Sequence, residues 1–112
     1  AAPGPAGIAV QRHVGKIDRL APRFMRAEEL DSLEPATRLY HLHVYWGAKE
    51  ALYKAYGRRR LDFRENIFIT PFAYNPAGVR FQGRIVMEDF TADYDVCYEQ
   101  HGEYVLVYAI EI

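Results

Sequence analysis

The chain has 112 residues, half of them hydrophobic and 14% aromatic, which suits one domain with a packed core. Lys and Arg number 14 against 15 Asp and Glu, a formal net charge of -1. This balance gives no basic excess for nucleic acid and no acidic run for disorder. The single cysteine, Cys97, excludes an internal disulfide and a thiolate metal cluster, and it reads as a buried structural thiol. No apolar run approaches the about 20 residues that a membrane helix needs, and no signal-peptide pattern is visible. The expectation is a cytoplasmic protein that engages neither membrane nor nucleic acid.

Residues 1–6 are rich in Ala, Pro and Gly and read as a flexible lead-in to a single domain over 7–112. Gly7-Ile8-Ala9-Val10-Gln11 is short, apolar and partly β-branched, as a strand requires. From His13 to Met25, Val14, Ile17, Leu20 or Ala21, and Phe24 recur at helical spacing, and Pro22 predicts a break or kink inside that helix. Residues 26–33 read as a second short helix, ended by Glu34-Pro35. A long helix comes next, over 36–56. Pro35 stands at its start and Gly57 at its stop, with Arg58-Arg59-Arg60 placing positive charge at its C-terminus.

At about 100° per residue, Leu42, Tyr45, Trp46, Leu52, Tyr53 and Tyr56 form one apolar stripe, with Lys49 inside it. Tyr45, Trp46 and Tyr53 therefore read as core, and Lys49 as a packed stem with a snorkelling head. His43, Gly47, Glu50 and Lys54 share an adjacent strip. Glu50 and Lys54 are one turn apart, a spacing that suits a solvated pair or a joint site. Gly47 lets a backbone or ligand come close.

After the helix the period becomes strand-like. Residues 66–70 read as a strand closed by Pro71, and 74–78 as a turn. Residues 79–87 read as a second strand with a bulge at Gly83, and 88–93 as a loop. Residues 94–100 and 103–110 read as a hairpin turning at His101-Gly102. The fold class is α+β, a long central helix packed on a small antiparallel sheet.

The stretch Trp46-Gly47-Ala48-Lys49-Glu50-Ala51-Leu52-Tyr53-Lys54-Ala55 resembles the W/F-x-x-K-E-A/S-x-x-K-A signature of the 4'-phosphopantetheinyl transferase superfamily. Arg23-Phe24-Met25-Arg26-Ala27-Glu28-Glu29 resembles that family's R-F-x-x-x-E-x segment. Gly57 and Leu61-Asp62-Phe63 resemble the segment after the family's signature helix, and residues 7–11 stand where its G-[IV]-D-[ILV]-E strand lies. The likeness is to the C-terminal half of the two-lobed, surfactin-synthetase-activating type. It implies transfer of the 4'-phosphopantetheine arm of coenzyme A to a serine of an apo acyl or peptidyl carrier protein, within fatty acid or secondary metabolite biosynthesis. Mg²⁺ would be the cofactor, and adenosine 3',5'-bisphosphate the other product.

By the same resemblance, Glu50 and Lys54 would be catalytic. Lys54, Lys49 and His43 would contact coenzyme A, and Glu50 and Gln11 would hold the metal. The family's acidic strand positions carry Ala9 and Gln11 here. Ala9 has no ligand atom and Gln11 only a neutral amide. Whether the chain is an enzyme is therefore left open. The alternative is a catalytically weakened relative that binds coenzyme A or a carrier protein without turnover. The resemblance also implies either a homo-oligomer or a missing N-terminal half.

Overall fold

The computed structural model describes residues 6–57 and 60–112. The elements run β1 (Ala6–Arg12), α1 (Ile17–Phe24), α2 (Ala27–Asp31), a 3₁₀ turn (Pro35–Thr37), α3 (Arg38–Tyr56), β2 (Ile67–Ile69), β3 (Arg80–Met87), β4 (Phe90–His101) and β5 (Tyr104–Glu111). The sheet is antiparallel throughout, in the order β1-β5-β4-β3-β2. The first strand thus pairs with the last, Ala9 opposite Val107, at one edge. The fold is α+β, one long helix packed on a five-stranded sheet, as the periodicities predict.

The period of two explains the sheet. Along β4, Ala92, Tyr94, Val96 and Tyr98 point to the helix side and are buried, while Asp93 and Glu99 face out. β5 alternates likewise, burying Val105, Val107 and Ala109. Against these, α3 sets Leu42, Tyr45, Ala48 and Leu52, all fully buried. Fully burying a side chain of Leu size contributes about 1.5–3 kcal/mol relative to exposure. The helix ends where Gly57 takes a left-handed conformation, φ +71°, and donates its N–H to the Tyr53 carbonyl at 3.2 Å.

Several local expectations are corrected. The strand begins at Ala6, inside the expected lead-in; residues 1–5 of that segment, with Arg58 and Arg59, lie outside the described residues. The first helix starts at Ile17 rather than His13. The His13 N–H goes to the Glu103 carbonyl, continuing the β1 pairing, and the Val14 N–H goes to the His43 ring. Pro22 lies within α1, which runs on for two residues and ends at Phe24. Gly83 is not a bulge: it pairs in register with both Ile69 and Tyr94. Its missing side chain makes room for Leu52, whose Cδ2 lies 2.8 Å from where a Cβ would stand.

The expected loop over 88–93 shrinks to a turn at Glu88-Asp89, because Phe90 and Thr91 already pair with Met87 and Val86. The last hairpin turns at Gly102-Glu103, with φ +60° at Gly102. Cys97 is half-buried rather than buried, on the outer side of β4.

At one end of the core an aromatic cluster gathers Tyr45, Phe72, Tyr74, Phe81 and Tyr98 around His41, with Phe72 stacked on Phe81 at 4.0 Å. His41 is 1% exposed, and neither ring nitrogen has a hydrogen-bond partner among the described residues. Burial holds its pKa down to about 4. No helix in the described residues is long and apolar enough to cross a membrane.

Candidate active site

Two glycines allow the close packing of α3 on β1 and β5. A Cβ on Gly7 would stand 1.9 Å from the Ala51 carbonyl oxygen, and one on Gly47 would stand 2.6 Å from Val107 Cγ2. Helix backbone and strand therefore touch where only small residues fit. Gly47 fulfils its expectation of a close approach, and the approaching group is the sheet itself. On β1, Gly7 and Ala9 are buried toward the helix, with Gln11 next on the same face.

Along the rim of this contact the strip of α3 meets β1. The Gln11 Nε2–H donates to Glu50 Oε1. One turn on, the exposed Lys54 donates from Nζ to the Ile8 carbonyl at 3.0 Å. Glu50 and Lys54 thus share a face, as their spacing requires, yet each binds β1 and no ion pair joins them among the described residues. Glu50 is half-buried, and its second oxygen, Oε2, carries no hydrogen bond among the described residues. The rim therefore places a half-buried carboxylate beside an exposed ammonium. Such a pair can accept a proton and attract a phosphate.

His43 lies one turn before Gly47 and is 1% exposed. Its Nδ1–H donates to the Leu39 carbonyl at 2.7 Å, and its Nε2 accepts the Val14 N–H at 2.9 Å. That pattern needs the neutral ring, and burial lowers its pKa in the same direction. The ring stacks on His13 at 4.5 Å. Both nitrogens are spent on the backbone, so the ring offers a ligand a surface rather than a donor. Beside it opens a cavity of about 210 Å³, walled by Gln11, Val14, Ile17, Phe24, His43 and Trp46.

Trp46, expected in the core, is half-buried instead. It meets Phe24 edge-on at 4.9 Å and Phe63 at 5.3 Å. A second hollow, about 360 Å³, is lined by Trp46 together with Leu61 and Phe63. Tyr53, also half-buried, closes on Phe63 at 5.5 Å, while Tyr45 is fully buried. The aromatic wall of Phe24, Trp46 and Phe63 is a feature that periodicity does not separate from the core. Its one signal in the sequence is that Trp46 opens the signature stretch. A larger hollow of about 430 Å³ lies at the β2–β3 edge, by Phe68, Thr70 and Arg84, and contains none of the expected site residues.

Lys49 corrects the expectation of a snorkelling head. Its ammonium is fully buried, 3.0 Å from Glu29 Oε1, and donates to the carbonyls of Phe63 at 2.8 Å and Ile67 at 2.6 Å. Glu29 in turn accepts the N–H groups of Arg26 and Ile69, each at 2.8 Å. Burial lowers the Lys49 pKa and Glu29 pulls it back up. Every hydrogen of this ammonium has an acceptor inside the protein.

A divalent ion of the Mg²⁺ kind needs a shell of hard oxygens. Among the described residues no three His, Cys, Asp or Glu side chains are grouped to hold one. The rim supplies one carboxylate, Glu50, and that carboxylate is already hydrogen-bonded to Gln11. This donor set does not fit a resident metal ion.

The described residues thus set a long signature helix on an antiparallel sheet, with a carboxylate and an ammonium on its rim. The chain belongs to the 4'-phosphopantetheinyl transferase superfamily, whose family profile matches residues 7–109. No curated protein matches the chain significantly.

Proposed function

We propose that the chain moves the 4'-phosphopantetheine arm of coenzyme A to a serine of an apo acyl or peptidyl carrier protein. The observation that carries this reading is the convergence of Glu50 and Lys54 on the β1 rim, within a domain of the phosphopantetheinyl transferase superfamily. In this reading the serine oxygen forms a bond to the β-phosphorus of coenzyme A, and the bond from that phosphorus to the bridging oxygen breaks. Adenosine 3',5'-bisphosphate leaves. Glu50 Oε2 takes the serine proton. Lys54, exposed and free to leave the Ile8 carbonyl, stabilises negative charge on the phosphates. His43 contributes the wall of the neighbouring cavity. Lys49, sealed against Glu29, drops out of the coenzyme A contacts and holds the segment that carries Phe63.

A second reading is favoured by a specific observation. Gln11 occupies Glu50 and Ala9 offers no ligand, an arrangement suited to a relative that binds coenzyme A or a carrier protein without turnover. The two readings part in one assay. The protein is incubated with coenzyme A, Mg²⁺ and apo carrier proteins of both kinds, and intact carrier mass is measured. Transfer predicts a carrier heavier by one phosphopantetheine. An unchanged carrier mass, together with coenzyme A binding by calorimetry, would sink transfer and leave the binding reading.

The expected second copy or N-terminal half also keeps a place in this proposal. The outer face of β1 and β5 exposes Ile8, Val10 and Ile110, at 58%, 61% and 43%, apolar surface that association would cover. The cytoplasmic expectation stands beside it as part of the same reading.

A further inference from the structure

Residues 11 and 50 meet across the contact of β1 with α3. Ala9 and Gln11 lie on one face of β1, two residues apart and so roughly 6.6 Å along the strand. Both face α3: Ala9 is buried, and Gln11 Cγ is 3.5 Å from where a Gly47 Cβ would stand. With no side chain at Gly47 between them, the Gln11 amide reaches Glu50 and donates Nε2–H to Oε1. An amide hydrogen and a metal cation compete for the same lone pairs, because both approach an oxygen with positive charge. The amide is neutral, needs no further ligands, and is fixed to the protein.

We infer that the Gln11 amide takes the place of a cation at Glu50: a neutral latch holds the carboxylate, and the rim has no resident divalent ion. Two substitutions should reverse this. Gln11→Glu replaces the donor with a second carboxylate, and Ala9→Asp adds a third on the same face of β1. Carboxylates gathered on one face repel, and a hard cation relieves the repulsion by ligation. The inference deepens the functional reading of the rim by stating what that rim holds, and it depends on residues 9, 11 and 50 alone.

The test is a Mn²⁺ titration of the whole chain without coenzyme A, tracking free Mn²⁺ by electron paramagnetic resonance. Thermal melts with and without Mg²⁺ run alongside. The native chain is expected to show no saturable binding and no rise in Tm with Mg²⁺. The variant carrying both Ala9→Asp and Gln11→Glu is expected to bind Mn²⁺ saturably and to gain several degrees in Tm when Mg²⁺ is added. Circular dichroism checks its fold. If that variant fails to fold, Gln11→Glu alone decides, with weaker but saturable binding expected. Saturable Mn²⁺ binding by the native chain that Glu50→Gln removes would overturn the inference. So would a folded Gln11→Glu chain that leaves Mn²⁺ free. Because coenzyme A is left out, failure of the transferase reading would not alter either result.

Discussion

Lys49 and Glu50 are neighbours in the signature stretch and have opposite fates. Lys49 turns inward, sealed from solvent, and finds Glu29 and two carbonyls. Glu50 turns to the β1 rim, half-buried, with one oxygen on Gln11. A step of about 100° around the helix separates a group that holds the fold from one that reaches the rim, where the proposed chemistry lies. A single short motif thus combines two tasks. Lys49 pins the segment after α3 and β2, and with them the Phe63 wall, while Glu50 and Lys54 face the β1 rim.

The largest effect should come from breaking the inner half. Lys49→Met leaves Glu29 as a fully buried carboxylate without its cation, and removing one partner of such a pair costs about 3–5 kcal/mol. Urea denaturation should show that loss. Removing both charges, Glu29→Gln with Lys49→Met, should recover more than half of it. If Lys49→Met unfolds at the native urea midpoint, the ion pair is not structural.

A second buried group sharpens the contrast, since His41 has no such partner. Its folded pKa lies at about 4, below its ordinary value of 6.5. Between those values the unfolded chain binds a proton that the folded chain refuses, so stability falls as pH falls. The slope is about 1.4 kcal/mol per pH unit, or roughly 3 kcal/mol by pH 4. His41→Phe, a ring suited to the cluster of Tyr45 and Phe72, should flatten thermal stability against pH over that window. Equal slopes in both proteins would show that His41 does not carry the effect.

Much of this arrangement is legible in the sequence alone. The end of α3 comes from Gly57, though Pro35 opens a 3₁₀ turn and the helix itself starts at Arg38 rather than Ala36; the β4–β5 hairpin comes from its alternation, and the family from six motif positions over ten residues. The pairings that cross the chain are not legible in this way. Nothing near Lys49 announces Glu29, twenty positions earlier, so a lysine in an apolar stripe reads as a snorkeller. His13 and Val14 look helical because their N–H partners, Glu103 and His43, are remote in sequence. The resemblance singles out Ala9 and Gln11, yet only the fold brings Gln11 to Glu50.

The outer half of the comparison predicts a smaller effect on stability and a larger one on chemistry. Glu50→Gln keeps a neutral partner for Gln11 on a half-buried rim, so it should shift folding stability by no more than about 1 kcal/mol. Its transfer of phosphopantetheine to the apo carrier, read by intact mass beside the native chain, is the most direct measurement. A folded Glu50→Gln protein that leaves the carrier unmodified, while the native chain modifies it, is the expected result. Equal modification by both proteins would contradict the assignment of this rim as the active site.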